Sequence, residues 1–146
     1  MKYDDQKWHL NDDFPSGLDE KYALTHMGFF ITWIIEHNLE SKLLSSKFHN
    51  EINLLKNRAI TGVDFILRCC DNKLSSDDLN DTGNQFAEFY YASDKYFDDY
   101  VDLSDPHKDS IFLEPNSWDK YDEVKSIIDK RFNNWLKNSK IFWKRN

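Results

Sequence analysis

Apolar residues recur along this chain mostly at three- and four-residue intervals, the spacing of helices rather than strands. From about 20 to 37, Leu24, Met27, Ile31, Ile34 and Ile35 form one stripe, and Phe29, Phe30 and Trp33 widen it until nearly every side is apolar. A helix of that kind belongs at the centre of a fold. Residues 40–56 repeat the pattern more weakly, with Leu44, Phe48, Ile52 and Leu55 on one face. Thr61 is placed to cap a short third helix whose inner face carries Val63, Ile66, Leu67 and Cys70. A fourth helix is expected over about 84–102, with Phe86, Phe89, Tyr90, Phe97, Tyr100 and Val101 on it and Asp94, Asp98, Asp99 and Asp102 facing outward. Ser117 starts a last helix on Val124, Ile127, Ile128, Phe132, Trp135 and Leu136.

Between these elements the chain is polar. Residues 1–19 are broken by Pro15-Ser16-Gly17, a turn signature, and Asp19 stands where a helix cap belongs. This stretch reads as an ordered N-terminal arm, because Trp8, Leu10 and Phe14 need a dry surface to pack on. Residues 71–83 form a polar connection, and 104–117 hold one short apolar run, Ile111-Phe112-Leu113, with the character of a strand. Residues 140–146 make a basic, aromatic tail, and self-association through its Trp143 would point to a structural adaptor. No repeat and no long linker divides the chain. The expected architecture is a single compact domain over 1–146, mainly α, with about five helices and one short strand near 111–113.

Composition narrows the function classes. Nineteen Lys and Arg against 26 Asp and Glu leave a formal charge of −7. That balance disfavours nucleic-acid binding, which draws its affinity from Lys and Arg on phosphates. The charge is also polarised: residues 71–123 hold 15 acidic and four basic side chains, while 124–146 hold seven basic and one acidic. Either this is a solvated acidic face beside a basic tail, with or without pairing inside the fold, or it is a surface that docks on a basic partner. The first residues have no basic segment leading into an apolar one, so they do not read as a secretory signal. The longest apolar run, Met27 to Ile35, is far short of the roughly 20 residues of a membrane span. The adjacent Cys69 and Cys70 have no third cysteine to pair with, which suits a reducing, cytoplasmic setting.

No catalytic or metal-binding motif stands out. The five histidines make no His-x3-His pair, and the EF-hand-like start at Asp78 puts Phe89 where the bidentate Glu is required. A helix-capping turn is the simpler reading of that string. Neighbouring carboxylates such as Asp4/Asp5, Asp77/Asp78 and Asp98/Asp99 point in divergent directions on a helix, and solvation accounts for them. No metal, no cofactor and no enzymatic activity are expected. His26, within the apolar first helix, is a core histidine by default, with a ligand-contacting role as the alternative. Together with His9 it marks a candidate pocket.

Several strings are more distinctive than any of these features. Tyr3-Asp4-Asp5-x-x-Trp8-His9, Asp13-Phe14-Pro15-x-x-Leu18, Thr25-His26-x-Gly28-x-Phe30-x-x-Trp33 and Asp78-Leu79-Asn80-x-x-Gly83-Asn84-x-Phe86-Ala87 lead the series. Tyr90-Tyr91, Asp99-Tyr100, Trp118-x-x-Tyr121 and Asp129-x-Arg131-Phe132 complete it. Together they resemble a family of uncharacterised bacterial proteins that accompany secreted polymorphic toxins. The resemblance implies a cytosolic immunity protein that binds and neutralises a toxin domain without chemistry of its own. For a nuclease toxin, Asp94, Asp98, Asp99 and Asp102 would supply the charge facing a basic cleft, and Tyr91 and Tyr96 the aromatic anchors. A small ligand-binding protein or enzyme using His9 and His26, or a structural adaptor, is the alternative.

Overall fold

The computed structural model describes the backbone of residues 1–145 and the side chains of residues 1–139. The expected basic tail at 140–146, with Trp143, therefore lies outside the described side chains. Within these limits the chain is mainly helical, with eight α-helices and one two-stranded sheet.

The helix α2 (Thr25–Glu36) is the axis of the molecule, and every residue from Thr25 to Ile35 is buried. A 3-10 turn over Glu20–Leu24, capped by Asp19, leads into it. The helix α5 (Gly62–Cys69) crosses α2 backbone to backbone, which two glycines make possible. A Cβ on Gly62 would lie 2.0 Å from the Gly28 carbonyl oxygen, and one on Gly28 would lie 2.7 Å from the Val63 amide. The Thr32 hydroxyl donates to that same Gly28 carbonyl at 2.6 Å. The Thr61 cap works as a reciprocal box with Asp64.

The remaining helices correct the expected count. The stretch expected as one helix over 40–56 is two, α3 (Lys42–Lys47) and α4 (His49–Lys56), parted at Phe48, whose φ of −123° leaves the helical region. The stretch expected over 84–102 is also two, α6 (Asp81–Tyr90) and α7 (Lys95–Leu103). They part at Asp94, whose φ of +67° is left-handed. A short α1 (Gln6–His9) and the long α8 (Trp118–Arg145) complete the set. The Ile111–Leu113 run forms a 3-10 turn rather than a strand. Asn80 caps α6 by accepting from the Gly83 amide, so the EF-hand-like string is a capping turn.

The sheet lies in stretches read as arm and connection. Strand β1 (Lys2–Asp5) pairs antiparallel with β2 (Lys73–Ser75), with an irregularity between Lys2 and Asp4. A regular strand would send alternate side chains to opposite faces. The irregularity breaks that alternation, and Tyr3, Asp4 and Asp5 are all buried. Asp5 then caps α1 by accepting from the Lys7 amide and pairs with the Lys2 ammonium at 2.8 Å. The expected packing of Trp8 onto the core does not occur; the residue is 53% exposed, with the Lys2 ammonium over its ring. The helix α8 is anchored to α2 by the Trp33 indole donating to Asp129 at 2.8 Å and by the Tyr121 hydroxyl donating to Glu36.

Candidate functional site

The arm brings Asp4 over the first turn of α2, where its carboxylate meets groups from four elements. His9, at the end of α1, donates from Nε2 to Oδ1 at 2.7 Å, and the Asp5 amide donates to the same oxygen at 2.8 Å. His26, in α2, donates from Nε2 to Oδ2 at 3.0 Å, and the Tyr91 hydroxyl, just past α6, donates to that oxygen as well. An ionised carboxylate only accepts, so the hydrogens on both imidazoles are assigned to Nε2. The two rings meet edge to face at 4.7 Å. Phe112 packs against both, while Phe97 and Tyr100 pack against His26. The Tyr96 hydroxyl donates to the His26 carbonyl at 2.6 Å.

This environment sets the charges. Burial pushes the Asp4 carboxyl up, but the hydrogen bonds from His26 and His9 outweigh it and hold the group well below the usual carboxylate range. Burial lowers the His26 imidazole, and the attraction of Asp4 offsets this only in part. Burial and the adjacent Asp4 charge push the Tyr91 phenol far above its ordinary value. The resting cluster is one buried carboxylate, a neutral His26 and an un-ionised Tyr91.

Beside it lies a cleft of about 150 Å³ lined by Asp4, His9, His26, Tyr91, Asp94 and Phe97, among others. That size suits an ion with its waters or a molecule of few atoms; drug-sized ligands occupy roughly 300–1,000 Å³. An imidazole held through one nitrogen can use the other as a proton acceptor. Asp4, His9 and His26 also each offer a ligand atom, all within 4.8 Å of one another.

The sequence-derived candidates divide sharply. His9 and His26, 17 residues apart, are brought together. Tyr91 and Tyr96 are buried at 8% and 1% exposure, stacked on each other at 5.3 Å, and face inward instead of serving as surface anchors. The Asp94 break turns the chain between α6 and α7, and this carries both rings inside. Asp99 is buried as well, accepting from the Tyr90 hydroxyl at 2.7 Å and held by two Arg131 nitrogens at 2.9 Å. Asp94, Asp98 and Asp102 are exposed. Among the described residues, none of these three has a basic side chain within salt-bridge distance.

Asp4 carries no motif of its own, since local pattern makes residues 1–19 an arm and the Asp4/Asp5 pair a solvated one. Its only sequence signal is the Tyr3-Asp4-Asp5-x-x-Trp8-His9 string. The cysteines show no activation: burial lifts the Cys69 thiol to about 11 and the Cys70 thiol higher still. Among the described residues, no helix is long and apolar enough to cross a membrane.

No curated protein and no solved structure matches the chain. A family model described as a domain of unknown function, DUF7832, matches residues 2–113, a span that holds Asp4, His9, His26 and Tyr91 and stops short of α8. Most of the chain lies within that match, and the protein belongs to this family of unknown function.

Proposed function

We propose that the protein acts by binding another protein through the outer face of α7, as a cytosolic immunity protein that neutralises a toxin domain carrying a basic surface. The observation that supports this reading is the row Asp94, Asp98 and Asp102, one helical turn apart, exposed and without basic partners among the described residues. Like charges at this spacing weaken a helix by about 0.2–0.5 kcal/mol per pair. Asp102 also lies at the helix end where negative charge is disfavoured. Asp94 and Asp98 stand at the other end, where negative charge is favoured, so the row is tolerated by the fold and its charge stays available to a partner of opposite sign. Half-buried Phe97 and the 43% exposed Val101 border it, giving apolar contact beside the charge. The role needs no cofactor and no catalysis.

The test is co-expression with the product of each gene that adjoins this one. Protection of the host is expected, together with a complex whose affinity falls steeply as salt rises. The triple change Asp94→Lys, Asp98→Lys and Asp102→Lys should abolish both. Binding that ignores salt and survives this change would overturn the acidic-face mechanism. Failure to protect against any neighbouring gene product would overturn the immunity role. A second reading, a small-ligand protein, is favoured by one observation, the placement of Asp4, His9 and His26 on the wall of a cleft.

A further inference from the structure

We infer that Asp4, His9 and His26 form a binding site for a single divalent transition-metal ion, with coordination positions left open toward the cleft. The inference stands apart from the α7 reading and rests on different residues.

The donor set is the first ground. Two imidazole nitrogens and one carboxylate suit Zn²⁺, Fe²⁺ or Co²⁺, whereas Mg²⁺ and Ca²⁺ prefer all-oxygen surroundings. The three residues come from β1, α1 and α2, so the fold, not a local sequence repeat, delivers them to one point. Three protein ligands beside a cavity is the arrangement of metal sites that keep positions for water or substrate. The cleft is lined by all three groups.

Loading puts the ion where each imidazole Nε2 now directs a hydrogen at Asp4, and that hydrogen passes to Nδ1, as coordination through Nε2 requires.

Outer support is the second ground. The Tyr91 hydroxyl and the Asp5 amide donate one to each carboxylate oxygen and leave further lone pairs free. Such partners orient a metal-binding carboxylate and are part of working sites.

The required movement is local to the three side chains. Ligand atoms about 2.0–2.2 Å from a tetrahedral ion stand roughly 3.3 Å from one another. The present Asp4–His9 and Asp4–His26 separations are 2.7 and 3.0 Å. Parting them by about 0.3–0.6 Å, and drawing the two imidazole nitrogens from within 4.8 Å toward that same spacing, exchanges two hydrogen bonds for coordinate bonds. His9, half-buried and at the end of a four-residue helix, is free to supply most of that shift.

The experiment titrates Co²⁺ into chelator-treated full-length protein, following visible absorbance, and then displaces it with Zn²⁺. One Co²⁺ per chain with ligand-field bands is expected. His9→Ala should weaken binding at least tenfold, while His107→Ala, at an exposed histidine outside the cluster, should leave it unchanged. Because His26→Ala risks the core, the second readout uses the unaltered chain. Long-range proton–nitrogen NMR should show two imidazole hydrogens moving from Nε2 to Nδ1 when one equivalent of Zn²⁺ is added. No saturable binding, binding unaffected by His9→Ala, or no tautomer change in the loaded protein would each overturn the inference.

Discussion

The carboxylates around the N-terminal strand and those along α7 are the same chemical group in opposite circumstances. Asp4 is buried, ionised and matched by four donors. Asp94, Asp98 and Asp102 lie in water, without basic partners among the described residues. Asp99 stands on the same helix as that row yet belongs with Asp4, since it faces inward to Tyr90 and Arg131. Glu114 is a third inward case, 3% exposed between the Lys120 ammonium at 2.8 Å and the Lys108 ammonium at 2.9 Å. A buried carboxylate needs specific donors because water is gone, and those donors come from wherever the fold has them. An exposed one needs none, and its charge remains available to a partner.

The contrast is broken most directly at Asp4. Asp4→Ala strands two imidazoles and a phenol that now donate to one acceptor. It should cost about 3–5 kcal/mol, the scale of breaking a buried charged network, read from denaturant unfolding. A loss below 1 kcal/mol would mean that the cluster opens freely to water.

Acid provides a second test. His26 is held below its ordinary value, so the unfolded chain takes up its proton first, and stability should begin to fall as pH drops below about 6.5. Asp4, Asp99 and Glu114 are also held low, so the stability they lend is complete above about pH 4 and drains away below it. Asp78, raised by burial, works in the opposite sense and recovers a part near pH 4. Unfolding midpoints from pH 8 down to 3 should therefore fall in two stages, and His26→Gln should flatten the first. A flat profile between pH 8 and 5 in the unaltered chain would contradict the assignment of a neutral buried His26.

Asp99→Ala should cost less than Asp4→Ala, about 1–3 kcal/mol, because its partner Arg131 is half in water and solvent compensates part of the loss. The Arg131→Met variant removes the ion pair and keeps the Tyr90 hydrogen bond, and should show a part of that same loss. At the small end, Asp98→Ala and Asp102→Ala should each change stability by no more than about 0.5 kcal/mol, with relief of like-charge crowding opposing any loss. The same changes should weaken a basic partner's binding severalfold, so a calorimetric melt paired with a binding assay sharpens the division between the two regions.

The mainly helical class, the central place of α2, the Thr61 cap and the outward row on α7 all followed from local pattern. Periodicity and capping are properties of a few neighbouring residues, and the chain obeys them wherever nothing distant interferes. The breaks at Phe48 and Asp94 were not legible, because the apolar spacing carries on across both while tertiary packing bends the backbone. Sequence adjacency likewise placed Tyr91, Tyr96 and Asp99 on the surface. Only the turn before α7 decided that they face inward. His9 and His26 were visible as candidates, but nothing in their spacing indicated Asp4. Its burial depends on the irregular pairing of β1 with a strand some 70 residues away, and its charge on donors from three helical regions. Local order follows from short-range chemistry. The meeting of a carboxylate and two imidazoles is a long-range event, decided only when the core closes around α2.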